Sequence, residues 1–273
     1  GVDFVTTGLP VDAPNVTERE ASHLGARLDI DGAVLHRLSV SRSDTDNVNK
    51  SGGAPSVSRG VRDQLQYQLG VGNDIHALAV VAELEREDYV QRGVDAGFGN
   101  PNRDLDVDTR SLGFEYRFSG GTFSSSLSGR HDDNSDFDDA FSWRGGVAVH
   151  VADGFTVFGS IGEAVKNPTF TERFGFFDTF MGNPDLEPET STSMELGARL
   201  TGERVSVELV LFDAELENEI NGFVFDAGTG GFTAANMTGD SERSGFEARV
   251  VAELYFAGQQ DLKLLRVSVE SLP

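Results

Sequence analysis

Apolar and polar residues alternate along most of this chain. In 109–119, Leu112, Phe114, Tyr116 and Phe118 fall on one face of an extended strand and Ser111, Gly113, Glu115 and Arg117 on the other. In 191–201, Thr192, Met194, Leu196, Ala198 and Leu200 oppose Ser193, Glu195, Gly197 and Arg199, and 20–30 sets Leu24, Ala26, Leu28 and Ile30 against His23, Gly25, Arg27 and Asp29. Segments 142–152, 61–72 and 243–254 follow the same rule, and 33–43, 75–86, 121–131, 154–163 and 204–218 follow it less cleanly. No comparable stretch has the i, i+3, i+4 spacing of a helix, so the pattern predicts an all-β chain of about eleven strands. Most of these strands run ten to twelve residues, whereas strands of soluble sheets are usually about five or six. About ten residues tilted near 40° cross the apolar band of an outer membrane, roughly 25 Å tall. The lengths therefore favour an antiparallel up-and-down transmembrane β-barrel over a soluble sandwich.

The connections point the same way. Tight turns at Asp31-Gly32, Gly72-Asn73-Asp74, Ser119-Gly120-Gly121, Asp153-Gly154 and Thr201-Gly202-Glu203 alternate with longer loops near 44–60, 87–108, 132–140, 164–190 and 219–242. In an up-and-down sheet this puts every tight turn on one side and every long loop on the other, the asymmetry of barrels with short periplasmic turns and long extracellular loops. Phe118, Phe123 and Phe155 lie beside tight turns, where a periplasmic aromatic girdle belongs, and Trp143 lies near the loop end of its strand.

Composition first suggests the opposite. The chain has 273 residues, a net charge of −23 and 38% hydrophobic residues, figures ordinary for a soluble acidic protein. Alternation resolves the conflict: one face of each strand is nearly uncharged, and the acids collect elsewhere. The longest apolar run is the six residues Ala77–Ala82, far below the roughly 20 of a membrane helix. Strands remain the only way across. Acid excess disfavours nucleic acid as a partner, and the absence of cysteine excludes disulfides and thiol chemistry. No nucleophile elbow, dinucleotide fingerprint, P-loop or His-Glu-x-x-His occurs, and the five histidines are scattered, so the chain is not expected to be an enzyme. His23 and His150 fall on polar faces and His36 and His76 within strands, read as solvated or lumen-lining.

Residues 155–200 carry a resemblance. A strand ending Ser160-Ile-Gly-Glu-Ala-Val-Lys166-Asn-Pro168-Thr precedes Gly182-Asn183-Pro184-Asp-Leu186-Glu-Pro188-Glu189, and the next strand contains Glu195-Leu-Gly197. Leu211–Ile220 and Ser244-Gly245-Phe-Glu247 follow in order. These motifs resemble the barrel of TonB-dependent outer-membrane receptors, firmly over about 142–254. Their chemistry is structural. Pro168, Pro184 and Pro188 cannot donate to a ladder and set strand boundaries. Gly182 and Asn183 suit a left-handed turn, and Glu195, Arg199 and Glu247 fall on the lumen face.

The resemblance implies a bacterial outer-membrane receptor for a scarce ligand such as a ferric siderophore or cobalamin, gated by an N-terminal plug and energised by the TonB complex. A passive porin or adhesin-like barrel with acidic loops is the alternative. The chain carries about half of the family's twenty-two strands, with neither plug nor TonB box, and reads as an interior fragment. On this reading, 1–19 are the remnant of an extracellular loop, 20–254 a partial barrel, and 255–273 an atypical tail. Unpaired edges are untenable in lipid, so the chain alone is not expected to insert or transport.

Two groups of residues are site candidates. Phe170, Phe174, Phe176, Phe177 and Phe180 cluster in loop 164–190 and would either grip an apolar or planar ligand or pack the loop over the barrel mouth. The acidic stretches Asp132, Asp133 and Asp136, and Asp104, Asp106 and Asp108, are either solvated beside lipopolysaccharide or hold calcium. The first begins like an EF-hand but has Phe137 in place of the needed glycine.

Overall fold

The computed structural model describes residues 16–51, 54–95, 100–177, 179–254 and 263–271. Eight strands run in sequence, each antiparallel to the last: β1 Val16–Ile30, β2 Leu35–Ser51, β3 Ala54–Gly72, β4 His76–Arg92, β5 Arg103–Ser119, β6 Phe123–Asn134, β7 Ala140–Ala152 and β8 Phe155–Lys166. After α1 (Phe170–Phe174) and the short β9 (Phe176–Phe177) and β10 (Phe180–Met181), the sheet resumes with β11 Glu189–Thr201 and β12 Val205–Glu217. The β13 (Ile220–Asp226) and β14 (Gly231–Asn236) hairpin then intervenes before β15 Ser241–Leu254 and β16 Lys263–Ser271. The main sheet has the order β1 to β8, β11, β12, β15, β16, with β1 and β16 at its two edges. Strands β9, β10, β13 and β14 form a separate four-stranded sheet at the long-loop end.

The expected tight turns are all present, held by bonds such as Asn73 N–H to the His76 carbonyl (2.7 Å) and Gly202 N–H to the Val205 carbonyl (2.8 Å). Gly154 has a φ of 72° that an L side chain rarely adopts, and an added Cβ there would strike the Thr201 carbonyl. The long loops are shorter than the sequence pattern predicts. Residues 44–51 and 54–60 continue β2 and β3 in register, and β4 and β5 extend to Arg92 and from Arg103. These strands reach 17 to 19 residues, nearly twice what crosses a bilayer. Their upper parts carry charge on the outward face, which in sequence resembles loop. A twelfth strand, β16, pairs with β15 in the region read as an atypical tail, and β1 starts inside the segment read as a loop remnant. Residues 255–262 lie outside the described residues.

The distribution of exposure is inverted relative to a soluble sheet. Leu24 (77%), Leu112 (60%), Leu196 (57%) and Leu211 (51%) are exposed, while Glu83 (7%), Gln91 (3%) and Ser111 (9%) on the opposite face are buried. Register makes the outward face continuous: Val40, Leu65 and Leu84 lie side by side across β2, β3 and β4, and Leu196, Leu211 and Phe246 across β11, β12 and β15. A contiguous apolar surface of this extent is costly in water and stable in lipid. At the tight-turn end Phe118 lies against Phe123, with ring centroids 5.9 Å apart. His36 and His76 face outward here, hydrogen-bonded to Tyr67 (2.7 Å) and Tyr116 (2.8 Å), so they join the girdle rather than the lumen. His23 and His150 do face inward, toward Ser43 and Thr156.

Candidate functional site: the lumen wall and the extracellular mouth

The inward face is polar and internally paired. Arg130 donates to Glu83 (2.9 Å), Asp132 (2.8 Å) and Ser111 (2.8 Å), and Gln66 also donates to Glu83 (2.8 Å). Further round, Arg144 reaches Ser160 (2.9 Å) and Glu195 (3.0 Å), and Arg199 pairs with Glu208. Gly197 is required for packing: the Phe158 ring occupies the space a Cβ would take, and Arg199 lies over that ring at 5.6 Å. Gly245 and Glu247 stand opposite Phe212 and Val210 on the same face. Glu195, Gly197, Arg199, Gly245 and Glu247 therefore share the inward face of the sheet.

At the long-loop end the chain builds a capped module. Thr169 and Glu172 form a capping box for α1: the Thr169 hydroxyl accepts from Glu172 N–H (3.2 Å), and the Glu172 carboxylate accepts from Thr169 N–H (2.8 Å). The following chain folds back over this helix, with Gly182 N–H bonded to the Gly175 carbonyl (2.8 Å) and Asn183 N–H to the Glu172 carbonyl (2.9 Å). Gly182 permits that approach, since a Cβ would lie 2.5 Å from the Arg173 carbonyl carbon. Neither Gly182 nor Asn183 is left-handed: among the described residues the positive φ values belong to Asn218, Gly154, Gly230 and Gly239. Close packing, not turn handedness, accounts for that glycine. The Asn183 side chain accepts from Asp185 N–H (3.0 Å) and donates to the Ala234 carbonyl (3.2 Å).

This last bond crosses to a different loop. β10 runs parallel to β14, with Phe180 beside Phe232, and Phe180, Leu186, Ile220 and Ala234 make one buried cluster. Asn236 reinforces the junction, accepting from Glu187 N–H (2.9 Å) and donating to the Glu187 carbonyl (3.0 Å). The loops on either side of β11 and β12 therefore share one small core.

The module is fastened to the wall at three places. Gln91 donates to the Phe176 carbonyl (2.5 Å) and accepts from the Tyr89 hydroxyl (2.6 Å), while the Tyr89 and Phe170 rings stack 5.1 Å apart. Arg173 lies between the Phe137 and Phe174 rings, 4.6 Å from each centroid, and pairs with Asp136 at 2.7 Å. Lys166 and Glu189 pair across β8 and β11 at 2.8 Å, and Glu189 also accepts from Ile220 N–H (2.5 Å). A cavity of about 370 Å³ remains between wall and module, lined by Arg62, Glu87, Arg130, Asn167, Pro168 and Arg173.

Among the five phenylalanines singled out in the sequence, Phe176 (5%) and Phe180 (3%) are buried and hold the loop down. Phe170 and Phe174 are half-buried against Tyr89 and Arg173, and the Phe177 side chain lies outside the described residues. The exposed aromatics of the module are instead Phe223, stacked on Phe232 at 4.2 Å, and Phe225, edge-on to the same ring at 5.8 Å. The sequence signal for them was Phe223-Val-Phe225 in the neighbouring loop, with the same alternation as a strand. The acidic candidates do not converge. Asp104, Asp106 and Asp108 lie on the outward face of β5, not in a loop, and pair with Arg92 and Arg86. Asp132 and Asp133 are successive strand residues and point to opposite faces, and Asp136 is taken by Arg173. Among the described residues no three acidic or histidine side chains gather as a cation site.

Comparison with known proteins identifies this architecture. The profile of the family described as TonB dependent receptor-like, beta-barrel matches residues 7–269. The chain belongs to that family. It is 28% identical over 190 residues to a vitamin B12 transporter, BtuB, of Vibrio vulnificus, a match covering 68% of this chain and 30% of that protein. Similar solved structures include the siderophore receptor PirA of Pseudomonas aeruginosa (TM-score 0.73, 19% identity, 94% of this chain and 51% of that one). The Serratia marcescens hemophore receptor HasR is similar too (TM-score 0.76, 13% identity, 94% and 49%). The chain thus spans about half of those receptors and less than a third of the transporter. TonB-dependent receptor barrels are bacterial outer-membrane proteins, receptors and transporters rather than enzymes or passive porins, and the apolar outward face is this barrel's lipid contact.

Proposed function

We propose that this chain forms part of the wall and extracellular mouth of a receptor that captures a scarce ligand, such as a ferric siderophore or cobalamin, and imports it with energy from the TonB complex. The observation that carries this reading is the two-loop module sealed onto the lumen wall by Gln91, Arg173 and the Lys166–Glu189 pair, on a family barrel. A passive pore has no use for a folded aromatic cap at its mouth. Phe223 and Phe225 are the side chains this reading places against ligand, because they are large, apolar and left exposed on the β13–β14 hairpin. The names of the similar proteins, a B12 transporter and siderophore and hemophore receptors, supply the ligand classes to try first.

The test is uptake of labelled ferric siderophores, haem and cobalamin by cells carrying or lacking the receptor that contains this chain, with and without TonB. Receptor- and TonB-dependent accumulation of one ligand is expected, with binding weakened in a Phe223→Ala, Phe225→Ala variant that is still correctly folded. Accumulation that persists without TonB would return the passive-pore reading.

A further inference from the structure

Asn221-Gly222 is the chain's only Asn-Gly pair, and it lies in β13 of the mouth module. The β13–β14 register shifts between Asn221 and Val224, so Gly222 and Phe223 have no partner in the ladder. Asn221 and Gly222 are both exposed, and a Cβ added at Gly222 would meet nothing within 4 Å. The Asn221 side chain folds back along the chain, its Oδ1 accepting from Phe223 N–H at 3.1 Å. Asn73, Asn100, Asn134 and Asn183 make the same turn, accepting from the backbone N–H two residues on at 2.9 to 3.0 Å. What differs is the peptide nitrogen in between. Pro101 and Pro184 follow Asn100 and Asn183 and have no N–H. Ser135 N–H, after Asn134, is held by the Asp108 carbonyl at 3.0 Å. Asp74, after Asn73, brings a side chain and a carboxylate that oppose ionisation of its amide. Gly222 follows Asn221 with a proton on its nitrogen and no side chain to shield it.

We propose that Asn221 deamidates in the folded receptor, a self-modification that consumes water and needs no enzyme. Gly222 N gives its proton to hydroxide and attacks Asn221 Cγ, forming a C–N bond, and the carbonyl electron pair moves onto Oδ1. Phe223 N–H already donates to that oxygen and stabilises the negative charge as it develops. Nδ2 then leaves as ammonia, protonated by water, and a cyclic imide remains. Water adds to either imide carbonyl and opens the ring, giving aspartate or the isomer whose main chain runs through Cβ and Cγ. No oxidant or reductant is involved. The product carries a carboxylate where the amide stood, close along the chain to Phe223, whose ring stacks on Phe232 at 4.2 Å. In the isomer the bulge also gains a backbone carbon. This chemistry is independent of which ligand is imported.

The experiment incubates the whole receptor in mild detergent and heavy-oxygen water, at neutral and mildly alkaline pH, and follows each asparagine by peptide mass spectrometry. Replacement of the amide nitrogen by solvent oxygen at Asn221 is expected to outrun that at Asn73 and Asn134 by at least about tenfold, and to speed up as pH rises. Gly222→Val, which the open surroundings and the φ of Gly222 accommodate, should bring Asn221 down to the rate of Asn73. The same receptor unfolded in urea keeps the Asn-Gly pair but loses the Phe223 contact, so the folded protein is expected to convert at least as fast. Heat-modifiable migration on gels establishes that the variant is folded, and the folded–unfolded comparison on the unaltered receptor stands even if it is not. A lead over Asn73 and Asn134 short of that factor, a folded Gly222→Val variant converting like the parent, or slower conversion in the folded than in the unfolded receptor would each overturn the assignment.

Discussion

Replacing Phe180 with alanine tests whether the two loops at the mouth are one folding unit. Phe180 is 3% exposed at the junction of β9, β10 and β14, and it packs with Leu186, Ile220 and Ala234. Truncating a buried phenylalanine costs about 3–5 kcal/mol, from lost burial plus the cavity left behind. The cluster contains only four buried residues with Phe232 against them, so no remaining core can absorb the loss. A cost of about 3 kcal/mol raises the open fraction of the module by more than a hundredfold, at about 1.4 kcal/mol per factor of ten. Hydrogen exchange followed by mass spectrometry on the whole receptor reads this directly. Amides of 176–187 and of 220–236 are expected to lose protection together, although some lie 50 residues apart in sequence, while the paired amides of β11 and β12 between them are unchanged. Loss confined to 176–187 would refute the shared core and leave two independent loops.

Other consequences follow from single contacts. Gln91→Ala removes the donor to the Phe176 carbonyl and one of the Tyr89 hydroxyl's two partners, a cost of about 1–3 kcal/mol, and should speed limited proteolysis within 167–177. Gly197→Val forces the Phe158 ring out of its seat and is expected to destabilise the barrel by about 1–3 kcal/mol, seen as a lower temperature for loss of the compact gel band, with Gly197→Ala intermediate. The Asp226 carboxylate accepts from Gly228 N–H and the Thr229 hydroxyl, both at 2.9 Å, and these bonds hold it below the usual carboxylate range. Its contribution to the β13–β14 hairpin is therefore complete at neutral pH and is lost only as pH falls through that lowered value. In Asp226→Asn, the extra exchange in 226–231 should be present at pH 7 and vanish relative to the parent in strong acid.

Much of this architecture was legible because alternation reports which face meets lipid without needing any contact. Leu112, Phe114 and Tyr116 identified their face from the period alone, and Asp153-Gly154 identified its turn. What alternation misread was height. Asp44, Asp46, Asp104 and Asp106 look like loop residues because they are charged, yet they continue the ladder above the membrane, where outward side chains meet water and pair with Arg59, Arg92 and Arg86. The mouth was the least legible part. That Phe176 and Phe180 are buried, and Phe223 and Phe225 exposed, depends on pairing between segments some 50 residues apart, β10 with β14. No local pattern encodes that. Gly182 packs closely on α1 and does not take the left-handed turn expected of it.

The central claim is that the apolar face of each strand lies in lipid and the polar face lines the lumen. The sequence contains no cysteine, so single cysteines placed in turn at 194–200 of β11, in the whole receptor, give spin-label sites without background. Labels at Met194, Leu196, Ala198 and Leu200 are expected to collide with oxygen dissolved in lipid, and those at Glu195, Gly197 and Arg199 with a water-soluble nickel chelate or with neither. A strict period of two is the predicted result. Equal access of the water-soluble reagent to both sets would contradict it.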